Sequence, residues 1–248
     1  MPDRAPGVMP ATASMTVLRL LIDSPRDGPT NMARDEALLR RVAGGATPPT
    51  LRLYAWNPPT VSLGYFQSRA ELLAQPQAVR AMPVVRRLTG GGAIIHRDEL
   101  TYSLTLPADH RLLGTRPTDL YALVHDATIV LLAGLGFVAR RADRDEERSA
   151  QRGPFLCFER RHRLDVVVGA RKVLGSAQRR TAGAVLQHGS LQLGSDSVSI
   201  AALAARFADA LAGHAGIRLE HEDWDAETAA LAAQLRGKYA GRDWTGLR

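Results

Sequence analysis

The sequence is poor in cysteine and lysine: it contains one cysteine, and only two of its 32 basic side chains are lysines. A single cysteine excludes an internal disulfide, as is typical of a protein in the reducing cytoplasm. Apolar runs fall short of the roughly 18 residues that a transmembrane helix needs, so we expect no membrane association. Aromatic residues make up 5% of the chain, do not interleave with basic ones and form no DNA-binding motif, so we expect no nucleic-acid partner.

Basic side chains outnumber acidic ones and give a net charge of +7. This excess favours an acidic protein partner or an anionic ligand, although a solvated basic surface explains it equally well. Residues 1–16 are rich in proline and alanine and lack the apolar centre of a signal peptide, so we expect a disordered tail. Residues 17–248 are expected to form a single domain.

Short β-branched runs alternate with helical patterns along the chain, and we find no internal repeat and no linker. This order predicts an α+β fold with a mixed, largely antiparallel sheet flanked by helices. The charged residues 141–153 are expected to form a mobile surface loop. Strands are predicted at 17–22, 51–56, 60–65, 83–87, 93–96, 102–106, 136–140, 164–168, 172–178 and 184–193, and helices at 31–42, 69–73, 75–80, 119–135, 197–212 and 226–239.

Lys172 is one of the two lysines in a chain that otherwise uses arginine. On the count alone, chance is one explanation. The alternative is that the position needs a compact ammonium, which a planar guanidinium cannot replace.

Three consecutive glycines, Gly90, Gly91 and Gly92, lie between two strand-like segments. Such a turn permits positive φ and brings backbone N–H groups close to a ligand, although glycine turns are also common in hairpins. Arg86 and Arg87 before the turn and His96 after it make the assignment of a binding site more specific. His96 is alternatively a hydrogen-bonded core histidine.

Cys157 is, by residue type alone, most simply a buried and unreactive thiol. A nucleophilic role needs a lowered pKa, which a neighbouring ammonium supplies. Lys172 follows fifteen positions later, far enough for a loop and a hairpin to bring the two together, and His188 is a candidate third polar group.

Several ordered motifs resemble one known family. The run Arg86–His96, RRLTGGGAIIH, resembles the RRxTGGGxxxH signature of the lipoate–protein ligase A and octanoyltransferase superfamily. Arg171–Gln178, RKVLGSAQ, resembles its GRKxxGSAQ segment, and Gln187–Ser190, QHGS, resembles the strand that follows. Residues 31–38 and 238–244 are similar to the first helix and the closing segment, so the resemblance covers roughly residues 17–245.

The resemblance implies a biotin/lipoate ligase-like catalytic domain with no metal held by the protein itself. It implies catalytic roles for Cys157 and Lys172. It also implies a substrate-binding set, which comprises Arg86, Thr89, Gly90, Gly91, Gly92, His96, Gly175, Ser176, Ala177, His188 and Gly189.

The superfamily contains two chemistries. Its ligases use ATP, Mg²⁺ and lipoate to form a lipoyl-adenylate, and many carry an additional C-terminal domain. Its octanoyltransferases need no cofactor and use a cysteine to take octanoyl from acyl carrier protein. Cys157-Phe158-Glu159 followed by Lys172 resembles the cysteine-dependent, ligase-like octanoyltransferases, and the chain ends soon after Trp244, so we expect no accessory domain.

Two departures from that branch keep its chemistry open. Arg160-Arg161-His162 replaces a stretch containing proline and serine, and Leu164-Asp165 replaces a tyrosine–glutamate pair. We expect transfer of octanoyl or lipoyl from acyl carrier protein, through a Cys157 thioester, to a lysine of a lipoyl domain. The lipoyl domains of 2-oxoacid dehydrogenases and the glycine cleavage H protein are the expected acceptors. The alternatives are an ATP-dependent ligase, whose accessory domain is then a separate chain, a lipoyl-domain-binding protein without turnover, and acyl transfer between lipoyl domains.

Overall fold

The computed structural model describes residues 15–143, 154–194 and 198–247. Most of the expected N-terminal tail and of the expected 141–153 loop lies outside these residues. The described strands are β1 (Thr16–Ile22), β2 (Thr50–Tyr54), β3 (Thr60–Leu63), β4 (Val84–Arg86), β5 (Ile94–His96), β6 (Leu100–Pro107), β7 (Ala139–Arg141), β8 (Val166–Val168), β9 (Arg171–Arg180), β10 (Ala184–Leu191) and β11 (Ile217–His221).

The described helices surround these strands. They are α1 (Gly28–Ala43), α2 (Arg69–Leu73), α3 (Gln77–Arg80), α4 (Pro117–Gly134), α5 (Ile200–Ala215), α6 (Ala226–Ala240) and α7 (Arg242–Thr245), with 3₁₀ turns at Arg111–Leu113 and Cys157–Glu159.

The strands form one large mixed sheet and one small sheet. The large sheet has the order β11-β1-β2-β6-β10-β9-β8-β7, and the small one has the order β4-β3-β5. In the large sheet β1 pairs in parallel with β11 and β2, whereas the pairs from β2 to β7 are antiparallel. The predicted mixed, largely antiparallel α+β fold is confirmed.

The two faces of the large sheet bury different helices. One face packs against α4 and α5, where Leu120, Val124 and Phe207 join the largest apolar cluster. The second cluster joins Met32 of α1 to Leu235 of α6 and includes strand residues such as Tyr54. Burying apolar area on both faces holds the central strands rigid between two helical layers.

The local sequence explains where several elements begin, although some predicted boundaries differ from the structure. Helix α1 begins earlier than predicted, because the Asp27 carboxylate accepts a hydrogen bond from the Thr30 amide and caps the helix. Ser199 caps α5, which starts at Ile200 rather than at residue 197. Strand β11 was not predicted, since it is a short edge strand in which only Ile217 is buried.

Arg86 ties the small sheet to the C-terminal segment. Its guanidinium, which is fully buried, donates hydrogen bonds to the carbonyls of Gly64, Gln67 and Thr245 at 2.9, 2.7 and 3.0 Å. A buried guanidinium that is shared among carbonyls fixes several chain segments at once. No helix among the described residues is long and apolar enough to cross a membrane.

Candidate active site

The glycine turn is held from behind by Arg87. Strands β4 and β5 flank the turn without pairing to each other, because β3 lies between them. The Arg87 guanidinium donates to the carbonyls of Gly90 and Gly92, both at 2.9 Å, and to that of Ser62 at 2.8 Å. Gly91 has φ +95°, a conformation that favours glycine. The turn is therefore a fixed loop between two strands.

Cys157 is pinned beside this loop by backbone hydrogen bonds. The Cys157 amide donates to the Ala93 carbonyl at 2.7 Å, and the Ala93 amide donates to the Phe155 carbonyl at 3.0 Å. A Cβ added at Gly92 would lie 3.0 Å from the Cys157 nitrogen. Glycine at position 92 thus permits the close approach of the two segments. The thiol itself is half-buried.

Lys172 reaches Cys157 from the neighbouring strand β9. Its Nζ lies 3.7 Å from Cys157 Sγ and 3.3 Å from the Cys157 carbonyl oxygen. The same ammonium pairs with the Asp165 carboxylate at 2.7 Å, and both side chains are less than a tenth exposed. The structure therefore brings together the two groups that the sequence suggested. It also adds Asp165, which the sequence analysis noted only as a departure.

His188 lies on β10 between the glycine loop and α1. Its Nε2 is 2.7 Å from Thr89 Oγ1, and its Nδ1 is 3.2 Å from Asp35 Oδ2. Burial raises the pKa of Asp35, but the hydrogen bond with His188 and the charge of Arg52 outweigh it, so that the net pKa lies below its usual range. Asp35 is therefore an ionised, buried carboxylate that orients His188.

His96 is a hydrogen-bonded buried histidine that also lines the site. It stacks on Trp56 with ring centroids 3.8 Å apart. Its Nε2 is 2.6 Å from Ser62 Oγ, and its Nδ1 is 2.5 Å from Glu99 Oε1. Burial lowers its pKa despite the neighbouring Glu99 carboxylate. His96 is thus a hydrogen-bonded core histidine whose ring also lines a cavity.

Two cavities meet at Cys157. The first is mainly apolar and runs past Ile94 toward Met32 and Trp56. The second is larger and more polar, and it contains Lys172. Gly91, Cys157 and Ser176 line both. A thiol at the junction of an apolar and a polar cavity can reach the end of a buried chain and a group that arrives from the other side.

Most of the predicted binding residues line these cavities. Gly90, Gly91, His96, Gly175, Ser176, Ala177, His188 and Gly189 line the first, and Gly92 lies on the second. Thr89 contacts His188 rather than lining either cavity, and Arg86 points to the carbonyls described above. Arg87, which the sequence places beside the glycine turn, holds that turn from behind. Asp35 and His125 had no signal in the sequence, because their partners in the site are distant along the chain.

Among residues 15–143, 154–194 and 198–247 we find no cluster of three or more histidine, cysteine or acidic side chains arranged to hold a metal ion.

A family model decides the relationship of the chain to known proteins. Residues 27–220 match the lipoyl protein ligase A/B catalytic domain. The chain belongs to this family. This domain accordingly contains both the glycine loop and the Cys157–Lys172 pair.

Relatives in the family carry the name octanoyltransferase LipM, including the following two. The protein from Moorella thermoacetica is 44% identical over 183 residues, which cover 71% of this chain and 64% of the relative. The protein from Kyrpidia tusciae is 34% identical over 274 aligned residues, which cover 93% of this chain and 98% of the relative. The match thus spans slightly less than two thirds of the first relative and nearly all of the second.

Solved structures of lipoate ligases share the fold. A lipoate-protein ligase A bound with ATP superposes with a TM-score of 0.76 at 21% identity, covering 94% of this chain and all of that one. A putative lipoate protein ligase from Thermoplasma acidophilum gives 0.75 at 22% identity, with the same coverage. At this level of identity the similarity establishes the architecture of the domain and not its chemistry.

Proposed function

We propose that the protein is an octanoyltransferase that moves an octanoyl group from acyl carrier protein to a lysine of a lipoyl domain through a Cys157 thioester. The observation that carries the proposal is the position of Cys157 Sγ, 3.7 Å from the Lys172 ammonium and at the junction of two cavities. The relatives named octanoyltransferase LipM support it.

In the first half of the reaction, the Cys157 thiolate attacks the carbonyl carbon of the octanoyl thioester. The new C–S bond forms as the bond to the carrier's sulfur breaks, and the carrier leaves as a thiol with the proton that Cys157 gave up. The Lys172 ammonium stabilises the thiolate as a point charge, a role that a guanidinium fulfils less well.

The oxyanion that forms on the carbonyl also needs hydrogen-bond donors. Within the described residues, the Gly91 and Gly92 amides donate to no acceptor, so they are available as such donors. Donors fixed in advance of the reaction are the most effective in stabilising charge that develops in a transition state.

We assign the alkyl chain to the apolar cavity. Octanoyl has seven carbons beyond its carbonyl, and at about 0.8 kcal/mol per buried CH₂ their burial contributes roughly 5 kcal/mol to binding. A gain of this size distinguishes medium-length chains from short ones, because each lost methylene weakens binding.

In the second half, the amine of the acceptor lysine attacks the Cys157 thioester. An amide forms, the C–S bond breaks, and Cys157 regains its proton from the attacking nitrogen. We propose the lipoyl domains of 2-oxoacid dehydrogenases or the glycine cleavage H protein as acceptors, and the net charge of +7 suits an acidic partner. A bi-partite lipoate protein ligase from Thermoplasma acidophilum, which has the same fold, was studied with its E2 lipoyl domain.

Intact mass spectrometry after incubation with octanoyl-acyl carrier protein, without ATP, tests the proposal. We expect an octanoyl adduct on the wild type and none on Cys157→Ala. Modification of a lipoyl domain by both proteins, but only when ATP, Mg²⁺ and lipoate are supplied, would instead establish a ligase. Binding of the lipoyl domain with no modification under either condition would leave a binding protein.

A further inference from the structure

His125 on α4 has a hydrogen-bond arrangement that fixes where its proton lies. The ring is 1% exposed. Its Nδ1 lies against the backbone carbonyl of Leu164, which can only accept, so Nδ1 carries the hydrogen. The opposite nitrogen, Nε2, is then bare and accepts from the hydroxyl of Ser176 at 2.7 Å.

The Ser176 hydroxyl consequently has no proton left to donate to a group in either cavity. Tyr102 OH lies 2.7 Å from Ser176 Oγ and must donate to it, because the single Ser176 proton points at His125. The Tyr102 oxygen in turn accepts from Gln187 Nε2 at 2.8 Å. Toward a substrate, Ser176 Oγ can therefore only accept a hydrogen bond.

The series of hydrogen bonds continues to the surface, and its donors all point in the same direction. Gln178 Nε2 donates to Gln187 Oε1 at 2.7 Å, and the exposed Arg180 Nε donates to Gln178 Oε1 at 3.0 Å. Each donor from Arg180 onward thus points toward His125. Hydrogen bonds aligned in this way polarise one another, which draws the Ser176 proton toward Nε2.

Ser176 lines both cavities together with Cys157, and His125 lines the polar one. A hydroxyl that only accepts fits an N–H donor and not a carbonyl oxygen or an oxyanion. We propose that Ser176 and His125 form a proton relay that deprotonates the attacking lysine amine in the second half of the transfer. This inference rests on the function proposed above.

One proton moves along the relay and returns to the Cys157 sulfur. As the amine nitrogen bonds to the thioester carbon, one N–H proton passes to Ser176 Oγ, and the Ser176 proton passes to His125 Nε2. The C–S bond then breaks, and the Cys157 sulfur takes up the proton that the imidazolium releases. Ser176 contacts the substrate directly, whereas His125 acts through it as a positioning residue and proton acceptor.

The surroundings of His125 keep its ring neutral. Burial lowers its pKa to about 4, so the ring is neutral in the resting protein. The charged groups that face it are Asp165, Lys172 and Arg141, and the Tyr121 ring packs edge-on against it. Because burial disfavours the imidazolium, His125 holds the proton only briefly before the Cys157 sulfur takes it up.

Separating the two halves of the reaction tests the relay. Cys157 is first loaded from octanoyl-acyl carrier protein and then mixed with a lipoyl domain, and intact mass follows both steps. We expect His125→Gln, which keeps a hydrogen-bonding side chain, to load within about 3-fold of the wild type and to unload about 100-fold more slowly. Ser176→Ala should behave in the same way, and it replaces His125→Gln if that variant fails to fold.

Chemical rescue distinguishes proton acceptance from packing. In His125→Ala, added imidazole should restore unloading, whereas pyrazole, of similar size and far lower basicity, should not. The control is Thr128→Val on the same helix: Thr128 is buried, its hydroxyl bonds to the Val124 carbonyl, and both steps should match the wild type.

Equal losses in loading and unloading, or equal rescue by both heterocycles, would overturn the relay while leaving the acyl-enzyme in place. A wild-type protein that never takes up octanoyl would overturn the proposed function, and the relay with it.

Discussion

Gly175 lies so close to Lys172 that no side chain fits between them. A Cβ at position 175 would be 2.5 Å from Lys172 Cε and 2.8 Å from Nζ. The absence of a side chain on β9 thus leaves the space through which the ammonium reaches Cys157.

Gly175→Ala should therefore displace the lysine and slow formation of the acyl-enzyme. We expect a loss on the order of 100-fold, comparable to removing one donor that stabilises charge. Intact mass sampled over time measures the rate. Gly213→Ala on α5 is the matched control, since a Cβ there meets no atom within 4 Å. An unchanged rate in Gly175→Ala would show that the ammonium does not assist the thiol.

Asp165 compensates the buried charge of Lys172. Because both side chains are less than a tenth exposed, Asp165→Asn leaves a buried ammonium without its partner. We expect a loss of about 3–5 kcal/mol in the free energy of unfolding, measured by urea denaturation. The double variant Asp165→Asn/Lys172→Met should recover part of this loss, because it removes both charges. Additive losses in the double variant would contradict the pairing.

Sequence patterns predicted long elements such as α1 and α5 well, because their apolar positions repeat with a clear helical period. Strand β11 escaped, since an edge strand with one buried residue shows no alternation. The contacts within the site were likewise predictable only in part. The proximity of Cys157 to Lys172 followed from their motifs, whereas the contact between His125 and Ser176 joins residues 51 positions apart and has no local signal.

The two adjacent arginines of the glycine motif illustrate the same limit. Neighbouring residues at the end of a strand point to opposite sides, so only one of Arg86 and Arg87 is expected to face the glycine loop. Only the fold shows that Arg86 binds the C-terminal carbonyls and that Arg87 binds the glycine carbonyls. Which arginine faced the loop depended on a segment some 160 residues away.

Stability at acidic pH should depend on Asp35. Burial by itself raises the folded-state pKa of Asp35. The hydrogen bond with His188 and the charge of Arg52 outweigh burial and hold the pKa below its usual range. A depressed carboxyl pKa stabilises the fold above the ordinary pKa near 4, and the contribution disappears as pH falls through the lower folded-state value.

Asp35→Asn should consequently be less stable than the wild type at pH 7, with the difference in unfolding free energy shrinking below about pH 4. Urea denaturation at a series of pH values measures it. The exposed residue Asp223 offers a control, for which Asp223→Asn should show little difference at any pH. A gap between wild type and Asp35→Asn that stays constant from pH 7 to pH 3 would refute the assignment.

Gly92 and Gly90 should respond differently to the same small substitution. A Cβ at Gly92 would lie 3.0 Å from the Cys157 nitrogen and 3.1 Å from its Cα, whereas one at Gly90 meets only the Phe66 ring at 3.8 Å. The Cys157 backbone cannot yield freely, because its amide is bonded to the Ala93 carbonyl at 2.7 Å.

We therefore expect Gly92→Ala to shift Cys157 away from the glycine loop and to slow acyl-enzyme formation by about 10-fold or more, since a displacement of even 1 Å is costly in a reacting geometry. Gly90→Ala should lose much less. Rates of octanoyl loading by intact mass, compared with melting temperatures, separate misplacement of the thiol from general unfolding. Equal rates in the two variants would mean that the close approach at Gly92 does not position the nucleophile.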